Sequence, residues 1–257
     1  MNLLKYNLGP SVYAFSSTRE GGVSKENYST FSICDYCGDK QEHIITNRTI
    51  LCQHLKIPNT HLIAPHQSHS INIETISREN LDQAHHLANV DALITNLKQV
   101  CIGVSTADCV PLLLYDPCTS CVAAVHAGWR GTVNHIIGLT INKMTQAFNS
   151  CPKNIHVVIG PSISEYAFEV GDEVYEAFNK AGFNMSNIAN RYPTSDHKTK
   201  WHINLQNANI ETLTQIGVPY KNIYNSKICT YTYHNKFFSA RRLGIQSGRI
   251  FSGIMLI

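Results

Sequence analysis

The chain has 257 residues, 43% of them apolar and 15% charged, which excludes a disordered polymer and leaves material for a sizeable core. Its net charge is +3 and no basic run exceeds the pair Arg241-Arg242, so nucleic acid is not an expected partner. No apolar run approaches the ~20 residues that cross a bilayer, so no membrane partner is expected either.

Met1 to Pro10 carries no hydrophobic export segment, which predicts a cytoplasmic protein whose nine cysteines are reduced thiols. Val12 to Ser16 reads as a strand running into the turn Thr18-Arg19-Glu20-Gly21-Gly22-Val23-Ser24. Gln41 to Leu55 places apolar residues at 44, 45, 51, 52 and 55, one face of a helix. Ile71, Ile73 and Thr75 alternate with polar neighbours, as a half-buried strand does. Short strands follow at Asp91 to Thr95, Cys101 to Ser105, Pro111 to Tyr115 and Cys121 to Val125. The clearest helix spans Val133 to Phe148, with Ile136, Ile137, Thr140, Ile141 and Met144 on one face. Ile155 to Ile159 is a strand that ends in Gly160-Pro161-Ser162. Glu169 to Lys180 and Asn204 to Ile216 read as helices, the second stopped by Gly217 and Pro219. The polar stretch Ala189 to Lys200 has the character of a long surface loop. Arg249 to Ile257 is apolar at both phases, as a central strand is. Strands in hairpin-like runs and strands separated by helices together predict an α/β (mixed α+β) fold. The simplest form is a single layered domain over residues 1–257, with a mixed sheet and packed helices.

The chemistry concentrates in Ala107-Asp108-Cys109 and, seventeen residues on, His126-Ala127-Gly128-Trp129-Arg130-Gly131-Thr132. Cys109 and His126 each follow an apolar strand-like run, and strand ends of α/β proteins gather side chains into a crevice. Upstream, Gln67-Ser68-His69-Ser70 offers a third ligand-type side chain. His69, Cys109 and His126 make a three-ligand zinc set, which leaves a fourth position open for water or substrate. The bland alternative is a buried thiol and two hydrogen-bonded histidines, since gaps of this length need the fold to close them.

Other features compete or add. Cys34/Cys37 and Cys118/Cys121 are two C-x-x-C pairs, but some 80 residues separate them where a four-cysteine zinc site usually has roughly 15–20. Asp108 is a candidate acid or base, provided the strand ends before it; otherwise it caps a turn. Gly128 to Thr132 opens the strongest helix, with Thr132 as a possible N-cap and Arg130 as a bidentate partner for an anion. Arg19 beside Gly21-Gly22, and Arg241, Arg242 and Arg249 around Gly244 and Gly248, are candidates for a charged substrate, against a solvated-surface alternative.

Taken together the segments resemble the YfiH-like family, also called laccase-domain or multicopper polyphenol oxidase proteins. The likeness runs nearly end to end: Thr18-Arg19-x-Gly21-Gly22-Val23-Ser24, Gly38-Asp39, Asn47-Arg48, Gln67-x-His69, Asp91-Ala92-Leu93-x-Thr95 and Ala107-Asp108-Cys109-x-Pro111. It continues through His126 to Thr132, Ile159-Gly160-Pro161, Glu169-Val170-Gly171, Cys229-Thr230, Phe238-Ser239-x-Arg241-Arg242 and Gly248-Arg249. The resemblance implies zinc at His69, Cys109 and His126, phosphorolysis of adenosine, inosine, guanosine or methylthioadenosine, and deamination of adenosine. Purine nucleosides and inorganic phosphate are then the partners, with Asp108, Cys109 and His126 as catalytic residues and Arg19, Arg130 and Arg241 as substrate-binding ones. Ser70, Phe168 and Ala240 depart from residues frequent in the family (Gly, Tyr and Tyr), which bears on pocket shape more than on metal. The competing readings are a copper-dependent phenol oxidase, a thiol hydrolase with Cys109 as nucleophile and His126 as base, and a non-catalytic zinc module.

Overall fold

The computed structural model describes residues 1–193 and 198–257. In chain order the strands are β1 (Leu3–Tyr6), β2 (Val12–Ser17), β3 (Leu62–Ile63), β4 (Ile73–Ile76), β5 (Ala92–Thr95), β6 (Cys101–Thr106) and β7 (Val110–Asp116). They continue as β8 (Cys121–Ala127), β9 (His156–Ile159), β10 (Glu169–Val170), β11 (Ala189–Pro193), β12 (Thr199–Ile203), β13 (Ile223–Asn225) and β14 (Ile250–Leu256). The helices are α1 (Gln41–Leu55), α2 (Trp129–Val133), α3 (Ile136–Phe148), α4 (Asp172–Lys180), α5 (Met185–Ile188), α6 (Leu205–Gln215) and α7 (Ala240–Leu243).

The expected mixed α/β architecture is present, but with three sheets where the sequence suggested one. A mixed five-stranded sheet runs β1-β2-β14-β6-β3 and a mixed six-stranded sheet runs β13-β9-β7-β8-β5-β4; β10-β12-β11 form a small antiparallel one. Period-two alternation explains how the two large sheets stack. Leu113, Val122 and Ala124 of the six-stranded sheet share a buried cluster with Ala14, Ile102, Val104 and Ile254 of the five-stranded one. Their neighbours Leu112, Leu114, Ala123 and Val125 face the other way and pack against Ile137, Ile141 and Met144 of α3, Phe178 of α4 and Leu213 of α6. On the outer face of the five-stranded sheet, Phe15 and Phe251 meet Leu51, Cys52 and Leu55 of α1. The order of layers is α1, five-stranded sheet, six-stranded sheet, then α3, α4 and α6. Both faces of the six-stranded sheet are covered, which is why its strands read as continuous apolar runs.

Four local expectations need correction. The helix expected over Val133 to Phe148 is two helices, because His135 takes a left-handed conformation (φ 54°) and stacks its ring on Phe183. Thr132 is not a cap; Gly128 occupies the N-cap of α2, and Thr132 Oγ1 accepts from Asn209 Nδ2 at 3.1 Å. The expected start of the helix at Glu169 is a short strand, β10, and α4 begins at Asp172 after Gly171. The stretch expected as a loop is largely the hairpin β11–β12, whose side chains are polar because β11 is an edge; residues 194–197 of that stretch lie outside the described ones. The remaining elements fall close to expectation, with Asn204 capping α6 through Asn207 N and β14 in the middle of its sheet.

Candidate active site

The chain passes between the two large sheets several times, and the reactive residues sit on the shortest of these crossings. β6 of the five-stranded sheet ends at Thr106 and β7 of the six-stranded sheet begins at Val110, so residues 107–109 carry the chain between layers. Asp108 makes the turn at φ 91°, a left-handed conformation that Asp tolerates better than most residues but that still costs free energy. Three contacts hold it there. Its carbonyl accepts from Ile163 N at 2.9 Å, and its carboxylate accepts from Thr230 Oγ1 at 2.6 Å and Arg241 N at 2.7 Å. The strand therefore ends in time for Asp108 and Cys109 to share one cavity, and Asp108 does not merely cap its own turn.

His126 lies near the end of β8, opposite Pro111 of β7, and His69 arrives on the loop before β4 at φ 62°. One ligand atom from each of His69, Cys109 and His126 falls within 4.8 Å of the others. Cys109 Sγ is 3.7 Å from His69 Nε2, and the two imidazoles meet edge to face at 4.9 Å. Gly128 makes this convergence possible. A Cβ there would stand 2.8 Å from His69 Cδ2 and 3.2 Å from Cys109 Sγ, although its backbone (φ −67°, ψ 172°) suits any residue. Gly128→Ala should thus leave the fold intact and displace His69, weakening metal binding on the order of tenfold or more. Titration with a competing chelator, alongside a melting curve, checks both parts.

A single buried carboxylate organises the set. Asp91, fully buried just ahead of β5, accepts from the backbone nitrogens of Ser68 (3.2 Å), His69 (3.0 Å) and Ser70 (2.7 Å) and from Ser70 Oγ (2.7 Å). Its Oδ1 also lies 2.6 Å from His126 Nδ1. Asp91 therefore shapes the loop that carries His69 and leaves Nε2 of His126 for the centre, the arrangement that orients metal-binding imidazoles. Burial alone would raise its pKa, but the bonds and charge of His126 and the bonds of Ser70 outweigh this and bring it down to about 2. Burial would likewise raise Cys109, yet the charge of His126 and hydrogen bonds from both histidines lower it to about 6. For His126 burial lowers the pKa, and Cys109 and Asp91 overcome it, lifting it to about 9. Both shifts favour the thiolate of Cys109 and the protonated ring of His126.

These groups open into a cavity of about 460 Å³, within the range of small-molecule sites. Tyr36, Gln67, Thr106, Phe168, Arg241 and Arg249 line it with Asp108 and the three ligand-type side chains. Arg241 reaches the carbonyls of Ala167 (3.4 Å) and Glu169 (3.1 Å) and lies over the Phe168 ring. It is the only one of the three expected substrate-binding arginines among the lining residues. Arg19 lies elsewhere, spent on the carbonyls of Ser29 and His234 and on the face of Phe238. Arg130 is exposed on α2 and stacks on its neighbour Trp129. Asp91 carried a usable signal: a lone carboxylate inside the apolar stretch Val90 to Ile94. Tyr36 carried none beyond its place between two cysteines; its ring stacks on His66 at 4.2 Å, and burial pushes its phenol up to about 12.

The cysteines depart from expectation in one respect. Cys34 and Cys37 are joined in a disulfide, which corrects the reading of nine free thiols and removes that pair from any four-cysteine zinc site. Of the other pair, Cys118 is exposed and Cys121 buried. Among the described residues, no helix is long and apolar enough to cross a membrane.

Comparison with known proteins extends the resemblance. Residues 13–257 match the family described as multi-copper polyphenol oxidoreductase laccase. A purine nucleoside phosphorylase of Bacteroides thetaiotaomicron is 44% identical over 251 residues, covering 96% of this chain and 92% of that protein. An adenosine deaminase from an unknown prokaryotic organism is 43% identical over 248 residues, covering 95% and 93%. The crystal structure of the hypothetical protein YfiH of Bacillus licheniformis superimposes with a TM-score of 0.88 at 26% identity, covering 98% of this chain and 100% of that one.

Proposed function

This chain belongs to the YfiH-like, multi-copper polyphenol oxidoreductase laccase family, and from that premise we propose that it is a zinc-dependent purine nucleoside phosphorylase that also deaminates adenosine. The whole chain would act as one catalytic domain on adenosine, inosine, guanosine and methylthioadenosine. The observation that carries this reading is the convergence of His69, Cys109 and His126 in a cavity that also holds Asp108.

The donor set fits zinc: one thiolate and two imidazoles, soft to borderline ligands, brought together around a glycine that keeps the space clear. An ion bound there supplies Lewis acidity, polarising an electronegative atom of the substrate. Asp108, fixed by Thr230 and Arg241, moves the proton. In phosphorolysis its carboxylate takes the proton of HPO4²⁻ as that phosphate bonds through oxygen to C1′, and passes it to the ring nitrogen of the purine as the bond between N9 and C1′ breaks. In deamination it carries one to the departing amino nitrogen as water adds to C6. Phe168 and the stem of Arg241 offer an apolar flank for the base. A phenol oxidase working with several coppers needs more ligands than one Cys and two His, and among the described residues this is the one such cluster.

The test is base release from adenosine and inosine with and without inorganic phosphate. Release that depends on phosphate and yields ribose 1-phosphate, with ammonia from adenosine alone, is the expected result. Equal release without phosphate, giving free ribose, would make the enzyme a hydrolase and defeat the reading.

A further inference from the structure

We propose that Arg249 and Thr106 form the seat of the phosphate dianion in this cavity; the inference rests on the phosphorolytic reading above and names the residues that hold the second substrate. The strand register brings the two together. Thr106 pairs with Ile250 across β6 and β14, so Arg249 stands at the same end of the strand pair, beside the crossing that carries Asp108 and Cys109. Both residues line the cavity.

Arg249 is half-buried and held rigidly. Nη1 donates to the carbonyls of Ser247 (2.6 Å) and Gly248 (3.0 Å), and Nη2 to that of Ile245 (2.8 Å). None of these acceptors carries a charge. Among the described residues, no Asp or Glu forms an ion pair with Arg249, and Nε has no hydrogen-bond partner. Burial lowers its pKa, the mark of a cation poorly served by solvent. Cys109 and Asp108 act on it only through space, and a half-buried guanidinium with no direct ion pair still gains from an anion in contact; its fixed, planar edge suits two oxygens of a phosphate. Thr106 points to the same conclusion independently. It is 1% exposed, yet its Oγ1 has no hydrogen-bond partner, and buried hydroxyls rarely stay unpaired. A ligand oxygen in the cavity would supply the partner.

Asp108 brings charge of the wrong sign, but both its oxygens already accept hydrogen bonds from Thr230 and Arg241. The other arginines are poorer candidates. Arg19 and Arg130 lie outside the cavity, and Arg241 is exposed, so water serves its charge where Arg249 is half-buried. Seated at Arg249, HPO4²⁻ would present one oxygen to C1′ of the nucleoside; that bond forms as the bond to N9 breaks, and the proton of the phosphate passes by way of the Asp108 carboxylate to the departing base.

The same chemistry fits free phosphate or the 5′-phosphate of a nucleotide, so the experiment has two arms. The first measures KM for inorganic phosphate and for inosine in wild type, Arg249→Gln, Arg249→Lys, Thr106→Val and Thr106→Ser. Arg249→Gln should raise the phosphate KM about tenfold or more, the worth of a charge-assisted bond, with the inosine KM nearly unchanged. Arg249→Lys should recover part of it. Thr106→Val should raise the phosphate KM severalfold, and Thr106→Ser should restore it. The second arm compares AMP with adenosine as a competitor of inosine; the two should bind alike. Tighter, Arg249-dependent binding of AMP would assign the seat to a 5′-phosphate and overturn the proposal. If wild type needs phosphate but Thr106→Val and a folded Arg249 variant keep its KM, the seat is wrong while the phosphorylase stands. If Arg249→Gln misfolds, an unchanged phosphate KM in Thr106→Val alone overturns it. Base release by wild type without phosphate would instead remove the parent reading and this one with it.

Discussion

Cys109→Ala and His126→Ala are each expected to reduce bound zinc from one equivalent per chain to almost none, and to lower turnover by roughly a thousandfold. Either change leaves two donors where a catalytic site needs three. The variants should differ in stability. Cys109 sits in the connection between strands and faces the cavity, so its loss should cost little; His126 is buried against Asp91, and its removal takes away one hydrogen bond and the opposing charge of a buried carboxylate that keeps its bonds from residues 68–70, at a cost of about 1–3 kcal/mol. Elemental analysis after gel filtration, with melting curves, reads both effects. The same experiment separates a metal enzyme from a thiol hydrolase. Chelated wild type should be inactive and should expose Cys109 to alkylation, with zinc restoring activity only when the thiol is unmodified. A metal-free enzyme that turns over and dies on alkylation would make Cys109 the nucleophile.

Asp91→Asn is expected to weaken zinc binding about 10–100-fold without touching a ligand. The amide keeps the size of the carboxylate but loses its charge, and it turns an NH2 group toward the donors of Ser68, His69 and Ser70 or toward His126. Acid stability gives a second readout. The folded pKa of about 2 lies below the ordinary aspartate value of about 3.9, so Asp91 contributes stability above about pH 4 that disappears as the pH falls towards 2. The shift corresponds to about 2 kcal/mol. Urea melts of the metal-free protein between pH 5 and 2 should show this loss in wild type and a flatter profile in Asp91→Asn. Equal slopes would mean that Asp91 carries no special burden.

The cluster of His69, Cys109 and His126 was legible because its chemistry is local to three side chains, which keep their meaning whatever path joins them. The path itself was not. A crevice at the strand ends of one sheet was expected, whereas Asp108 and Cys109 lie where the chain passes between two stacked sheets. Apolar runs look alike whether their strands share a sheet or face each other across a core, so Val104 and Val122 gave no sign of belonging to different layers. The break at His135 was hidden because the apolar residues on both sides keep helical spacing. Arg19 and Arg130 looked like anion binders through neighbouring glycines, but Arg19 is taken up by the distant His234 and Phe238, and Arg130 lies exposed on its neighbour Trp129 outside the cavity. Arg249, by contrast, enters the cavity through the pairing of β6 with β14, a contact more than 140 residues apart in the chain.

β14 lies between β2 and β6, although it is synthesised after both of them and after every strand of the six-stranded sheet. A nascent chain can therefore close the six-stranded sheet while β2 and β6 still show each other bare, unpaired edges. Those edges are open to a neighbouring polypeptide until residues 250–256 leave the ribosome and fill the gap. Ribosome stalling or premature termination upstream of β14 would release a product with a half-built layer, suited to aggregation and to chaperone capture.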